Sequence, residues 1–270
     1  MNPPEVPENL AGSPLRPGRR GHVGLRVLRW ALLVLLAVVA AGVLGLGTTA
    51  NGRAAARAAA RWLGEQIHSK SLAAAEQEAA ESLRQHGALV LADPSNGHVY
   101  SVNFLGKPVD EEALRHVAAL HWVQSVDVSR TNITDEQLQY LEGLSYLAAL
   151  QASATQLTDE GMEHVRRLAT LESLVITSTN IGDEGVQRIA RARNLVSLDL
   201  CKTRVTDAGV AHLTDLPRLQ LLVLKDDDVT DAVLEHVEKI RSLRQVEVLG
   251  TRMTAEGRAR LKQTLAGFME

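Results

Sequence analysis

The chain has 270 residues, 45% of them hydrophobic, and a formal net charge of −3, which supplies ample apolar matter for a core and no general basic field, so nucleic acid is excluded as its main partner. Only 3% of the residues are aromatic, so core volume must come from Leu, Val, Ile and Ala, which suits a thin repetitive core. The single cysteine, Cys201, excludes an intrachain disulfide and any multi-cysteine zinc site.

Residues 1–29 carry Pro3, Pro4, Pro7, Pro14 and Pro17 with no apolar periodicity, the composition of a disordered basic tail. Trp30 to Ala50 then runs without a charge, and at ~1.5 Å per helical residue it spans roughly 30 Å, the thickness of a bilayer's hydrocarbon core. It reads as a single transmembrane helix, an uncleaved signal-anchor; the alternative is a secretory signal cut near Ala50, leaving a secreted product. Arg16, Arg19, Arg20, Arg26 and Arg29 precede it, against Arg53, Arg57 and Arg61 after it. This excess orients the N-terminus to the cytoplasm and the remainder to the extracytoplasmic side.

Residues 51–87 form a helical linker and an N-terminal capping helix, on which Arg53, Arg57 and Arg61 share one face. That face reads as solvated, with contact to anionic headgroups as the other reading. Residues 88–98 supply a capping hairpin strand and its turn: Ala88–Ala92 and His98–Phe104 are β-rich runs around an Asn96-Gly97 turn.

Self-comparison then exposes a repeat. Thr131-Asn-Ile-Thr-Asp, Thr155-Gln-Leu-Thr-Asp, Thr179-Asn-Ile-Gly-Asp, Thr203-Arg-Val-Thr-Asp, Asp227-Asp-Val-Thr-Asp and Thr251-Arg-Met-Thr-Ala each start 24 residues after the last, and Lys107-Pro-Val-Asp-Glu is a degenerate first copy. An apolar triplet such as Leu195, Leu198 and Leu200 precedes each, and a helical spacing such as Val210, Leu213 and Leu216 follows. Inward leucines make a short strand one wall of a flat coil and the helix the other. One coil cannot bury both faces, so copies must stack. Thr134, Thr158, Thr206 and Thr230 precede an acidic residue, a hydroxyl N-cap with Asp at the positive end of the helix dipole; Thr134 with Gln137 completes a capping box.

These residues resemble the leucine-rich-repeat family, with Thr where its L-x-x-L-x-L-x-x-N/C-x-L frame carries Asn or Cys. The Ile/Val-Thr-Asp phrase is similar to that of the cysteine-containing subclass of F-box proteins and to many bacterial repeats. The resemblance implies an α/β solenoid, with parallel strands on a concave face and helices on a convex one. It covers residues 99–266 as seven repeats starting near 99, 123, 147, 171, 195, 219 and 243. It also implies that the Thr column, Thr131, Thr155, Thr179, Thr203 and Thr251, satisfies turn carbonyls and amides in an internal ladder as the family's Asn does. The last copy carries Arg258 and Thr264 in place of Val210 and Leu216, a polar face that closes the array.

Strand residues between the inward leucines face the concave side. The candidate binding residues are Asp127, Gln151, Val175, Asp199, Leu221, Val223, Lys225, Glu247 and Leu249. Leu221, Val223 and Leu249 with Val175 make a modest apolar patch, while Trp, Tyr and Arg anchors are missing from these positions. His116, His164, His212 and His236 recur at one helical position, but successive helices stand too far apart to share an ion at ~2.0–2.1 Å Zn–N distances; no metal and no cofactor is expected. The column Gly161, Gly185, Gly209 and Gly257 is a close-packing position and not a phosphate cradle, because Gln137 and Val233 fill the same slot. Cys201 reads as a passive thiol. No constellation carries catalysis, so the expectation is a membrane-anchored repeat protein, not an enzyme, that binds a protein or cell-envelope component through its concave face. The alternatives are a structural, self-associating envelope scaffold and, further off, an F-box-like cytoplasmic adaptor.

Overall fold

The computed structural model describes residues 72–267; the expected tail, the membrane segment Trp30–Ala50 and the first part of the linker lie outside them. Among the described residues, no helix is long and apolar enough to cross a membrane. Helix α1 (72–85) buries Ala79, Ala80 and Leu83. It ends in a Schellman motif: the Ala88 N–H donates to Leu83 O and the Gly87 N–H to Arg84 O, with Gly87 at φ 82° as that stop requires. Strands β1 (Leu89–Ala92) and β2 (Val99–Asn103) pair antiparallel. The turn between them is wider than a two-residue Asn-Gly turn. Asp93 accepts from the Ser95 amide and hydroxyl and closes the loop with its own backbone to Gly97 and His98, so the chain reverses from Asp93 onward.

From β2 the strands are parallel: β3 (Ser125–Asp127), β4 (Ala149–Gln151), β5 (Ser173–Val175), β6 (Ser197–Asp199), β7 (Leu221–Val223) and β8 (Gln245–Glu247) follow in chain order in one eight-stranded sheet. Every pairing repeats one register, Val102, Val126, Leu150, Leu174, Leu198, Leu222 and Val246 lying in line. The return wall is helical: α2 (Glu111–Ala118), a 3-10 turn (Glu136–Leu141), α3 (Met162–Val165), α4 (Asp183–Ile189), α5 (Asp207–Ala211), α6 (Leu234–Val237) and α7 (Ala255–Gly267). One apolar core runs the length of the array, with Leu195, Leu198, Leu200, Val205, Val210 and Leu213 wholly buried in a central coil.

What joins one coil to the next is the Asp of each Thr-Asp pair. Asp135 accepts from the Thr158 amide at 2.9 Å and its hydroxyl at 2.7 Å. Asp183 does the same for Thr206, Asp207 for Thr230 and Asp231 for Thr254, and Asp159 takes the Gly182 amide. The Asp expected only to favour the helix dipole is therefore also the cross-coil link. It explains the glycine column. A Cβ at Gly161 would fall 2.4 Å from Asp135 Oδ1, and one at Gly209 2.4 Å from Asp183 Oδ1. The first copy has Glu111 in the Asp position, bonded instead to Tyr140 and Arg115. The Thr134 amide is left to Gln137 Oε1, so only that half of the expected capping box forms. Val233 keeps its rung, and the segment Asp231–Val233 winds as a 3-10 turn.

The Thr column satisfies turn carbonyls and amides, chiefly within each coil, with the Thr131 and Thr251 hydroxyls also accepting from the Ile133 and Met253 amides. Thr131, Thr155, Thr179 and Thr251 each donate to a carbonyl three residues back in their own coil, whereas the Thr203 hydroxyl donates across to Asp227 Oδ1 at 3.1 Å. Thr caps form at Thr206 and Thr230, which accept from Ala208 and Ala232 amides. A further column has no counterpart among the sequence expectations: Arg130, Ala154, Ser178, Lys202 and Asp226 all hold φ between 53° and 59°, flanked by Gly106 and Gly250. Each non-glycine amide donates to the following coil, as Ala154 does to Thr177 O, so ladder bonding outweighs a left-handed penalty of about 1–2 kcal/mol per residue.

Two outcomes follow for stability. Asp135→Ala, which orphans the Thr158 amide, should cost about 1–3 kcal/mol, and Gly161→Ala, destabilising alone, should cost much less in the Asp135→Ala background; thermal melts of the double-mutant cycle measure this, and strict additivity would refute the contact. Ala154→Gly should raise stability by about 0.5–1 kcal/mol by relieving the left-handed penalty, read as a higher denaturation midpoint.

Candidate functional site

The register lays the concave residues in rows, one running Asn103, Asp127, Gln151, Val175, Asp199, Val223, Glu247. Much of this row serves the sheet itself. Asp127 is buried, accepting from the Ser129 amide and Asn103 Nδ2. Asp199 accepts from the Cys201 amide and the Thr177 hydroxyl. Lys225 pairs with Glu247, which holds the Glu247 carboxyl below and the Lys225 ammonium above their ordinary ranges.

The expected apolar patch is not a patch. Val223 is buried and Val175 and Leu221 half-buried; Leu249 alone stands out, 75% exposed. Gln151 is exposed and free-standing on the face. Cys201 is half-buried, and burial followed by Asp199 pushes its thiol pKa up, the reverse of what a reactive thiolate needs. His164 is held by Glu142, and among the described residues no group of His, Cys, Asp and Glu is arranged to hold a metal.

The aromatic anchors that the concave positions lack stand on the rim, where each coil turns into its strand. His98, Trp122 and Tyr146 occupy one position in three successive copies, and the register stacks them. The His98 and Trp122 ring centroids lie 5.0 Å apart and those of Trp122 and Tyr146 4.9 Å apart, the geometry of attractive aromatic pairs. Trp122 is 41% exposed, Tyr146 48% and neighbouring Tyr100 40%, so this is an open aromatic edge. His98 is fixed from behind: its Nδ1 lies 3.0 Å from the buried Glu76 of α1, whose other oxygen accepts from the Val99 amide. Further along, the same position carries Thr170, Asn194 and Ser242, which turn inward to cap carbonyls of the coil before, and Arg218, which donates to Asn194 Oδ1. The 24-residue offset of His98, Trp122 and Tyr146 was visible in the sequence; reading only the strand positions missed it.

A family model described as leucine-rich repeat matches residues 167–190, one full period. The matched residues are one period of the solenoid, whose other coils repeat the same 24-residue spacing. No curated protein matches the chain in sequence. Similar solved structures include an internalin of Listeria monocytogenes (18% identity, 65% of this chain and 56% of that one, TM-score 0.48) and internalin C2 of the same organism (17%, 56% and 80%, 0.40). A third is the leucine-rich-repeat ectodomain of the plant receptor kinase GASSHO1/SCHENGEN3 of Arabidopsis thaliana (13%, 61% and 23%, 0.40). The chain thus spans little more than half of the first and under a quarter of the last.

Within the Thr column one member is out of pattern. Asp227, in a Thr position, is 4% exposed; its Oδ1 accepts from the Thr203 amide and hydroxyl, and its Oδ2 has no partner. Burial pushes its pKa up to about 6. A carboxyl whose folded pKa exceeds its unfolded value destabilises the fold once ionised, and the penalty is present above pH 6 and relieved as pH falls through 6 towards 4. Asp227→Asn, uncharged and still an acceptor for Thr203, should therefore stabilise the domain by about 1–3 kcal/mol at pH 8 and bring no gain near pH 4. Denaturant midpoints across that range measure the difference; a gain independent of pH would contradict it.

Proposed function

We propose that this chain is a membrane-anchored leucine-rich-repeat binding protein, not an enzyme, held by Trp30–Ala50 with its repeats on the extracytoplasmic side, and that it takes up a partner protein at the aromatic rim His98–Trp122–Tyr146. The observation that carries the reading is that exposed stack. Trp and Tyr dominate binding energetics because they bury large area at small entropic cost, and a soluble surface that keeps three of them together and open is marking a contact. The concave row supports it as the adjoining surface, with exposed Gln151 and small side chains that let a partner approach, while its carboxylates Asp127 and Asp199 hold the strand ends. Leu89 and Leu91, 60% and 41% exposed on the outermost strand β1, favour a second reading in which the sheet edge pairs copies of the chain into a scaffold.

A photoreactive residue at position 146 should yield an adduct in cells, and one at Arg191 on the helical wall should not. Trp122→Ala with Tyr146→Ala should reduce partner capture at least tenfold with the circular dichroism spectrum unchanged. Adducts formed only from position 223 or 249 would move the site back to the concave face. Protease added to intact cells should degrade the repeat domain; protection would reverse the orientation. If Leu89→Lys/Leu91→Lys alone dissociated an oligomer and left capture intact, the scaffold reading would gain.

A further inference from the structure

The rim that carries the aromatic stack changes character along its length. Its first coils present His98, Tyr100, Trp122 and Tyr146; in its last coils, residues 193–196, 217–220 and 241–244 present Arg193, Arg218, Arg241 and Arg244 and no carboxylate. All four arginines are exposed. The Arg244 amide donates to Gln220 O and the Gln220 amide to Val196 O, which sets these turns side by side. Elsewhere Arg115, Arg166, Arg167 and Arg252 each hold a carboxylate of the chain; among the described residues Arg193 and Arg241 hold none. Arg218 gives one N–H to Asn194 Oδ1 and lies 3.7 Å from Glu172, and Arg244 gives one nitrogen to the carbonyls of Arg241 and Leu243. Most of the donors on each guanidinium therefore stay open. Asp215, with Arg191 and Lys239 at its position in the coils on either side, closes a 3-10 turn of the helical wall. This local excess of positive charge stands in a chain whose net charge is −3.

We infer that the arginine half of the rim holds an acidic stretch of the partner polypeptide, continuous with the segment seated on the aromatic half. The inference rests on the aromatic rim as the partner's seat and names the chemistry of what lies beyond it. A guanidinium offers a planar fork of donors that matches a carboxylate, and Arg193, Arg218, Arg241 and Arg244 repeat that fork over neighbouring coils. Strands stand ~4.8 Å apart, so Tyr146 and Arg241 are separated by roughly 19 Å, the reach of about six extended residues. Ring and arginine thus lie within one short peptide segment that is apolar at one end and acidic at the other. A flat anionic surface laid against this edge would also meet Glu172 and Asp215, whereas a peptide places its carboxylates opposite the arginines alone.

Fluorescence anisotropy of labelled hexaglutamate, with hexaglutamine as its uncharged counterpart, on the full-length chain in an uncharged maltoside detergent tests this. Hexaglutamate should bind at least tenfold more tightly than hexaglutamine, and less tightly as salt rises. Arg193→Gln/Arg218→Gln/Arg241→Gln should lose at least tenfold of that affinity with the circular dichroism spectrum unchanged. Lys107→Gln/Arg130→Gln/Arg204→Gln, the same change in charge at exposed positions where strands turn into helices, should lose less than twofold. In cells, a photoreactive residue at exposed Gln220, between Arg218 and Arg244, should join the same protein as one at position 146. An affinity unchanged in the rim variant, equal losses from both variants, or equal binding of the two peptides overturns the acidic-peptide contact. So does tighter binding of inorganic tripolyphosphate than of hexaglutamate, which would assign the arginines to phosphate. If one of these appears while position 146 still crosslinks its partner, only the basic contact falls; if hexaglutamate binds as expected while position 146 gives no adduct, the aromatic seat falls and the arginines stand.

Discussion

From its second copy onward, each coil of this protein is fastened to the next by a carboxylate as well as by the sheet. Asp135, Asp159, Asp183, Asp207 and Asp231 reach across to an amide of the following coil, and four of the five also take a threonine hydroxyl there. A carboxylate accepting two hydrogen bonds in a half-buried position is a strong and directional contact. Its geometry demands that the acceptor and donor recur at one spacing, which accounts for a period of 24 residues kept without insertion across the array. It also demands space, and the glycines of the following helical turns provide it.

The rim depends on that constraint. Because every coil is set in one register, residues 24 apart are brought side by side, and His98, Trp122 and Tyr146 become a stack. A single residue inserted between Asp135 and Tyr146 would break a rung and separate Tyr146 from Trp122. The capping helix contributes as well: α1 supplies Glu76 to orient His98. A region that reads as a mere end-cover is therefore also where the surface acquires its chemistry.

Asp227 shows what departure from the pattern costs. Thr131, Thr155, Thr179 and Thr251 spend a hydroxyl on a carbonyl of their own coil, whereas Asp227 draws the Thr203 hydroxyl and amide to itself and leaves one oxygen unpartnered. Burying a carboxylate with half its hydrogen-bonding capacity unmet is unfavourable, and the consequence is a titration near pH 6. The left-handed column is a milder case, in which a backbone penalty in each coil is offset by an amide bond to the next.

By itself the sequence determined the repeat length, the inward leucines, the order of strand and helix and the helical and β-rich segments that precede the array, because those follow from periodicity and from the need to bury one face of every coil. It also held the N-terminal apolar segment and its flanking arginines as an expectation of a membrane anchor. Only the tertiary structure decided which polar groups meet. The same Asp reads as a helix-dipole residue within its own coil and becomes a cross-coil link only when another coil is placed beside it. Four Thr hydroxyls of the column turn to a carbonyl of their own coil, while that of Thr203 goes to Asp227 of the next, where a carboxylate is there to receive it. Val223 alternates outward along its strand yet is buried, and Trp122, outside the strand positions altogether, is open and stacked. Periodicity states which way a side chain points; it does not state what stands within reach, and in a solenoid most of what stands within reach comes from 24 residues away.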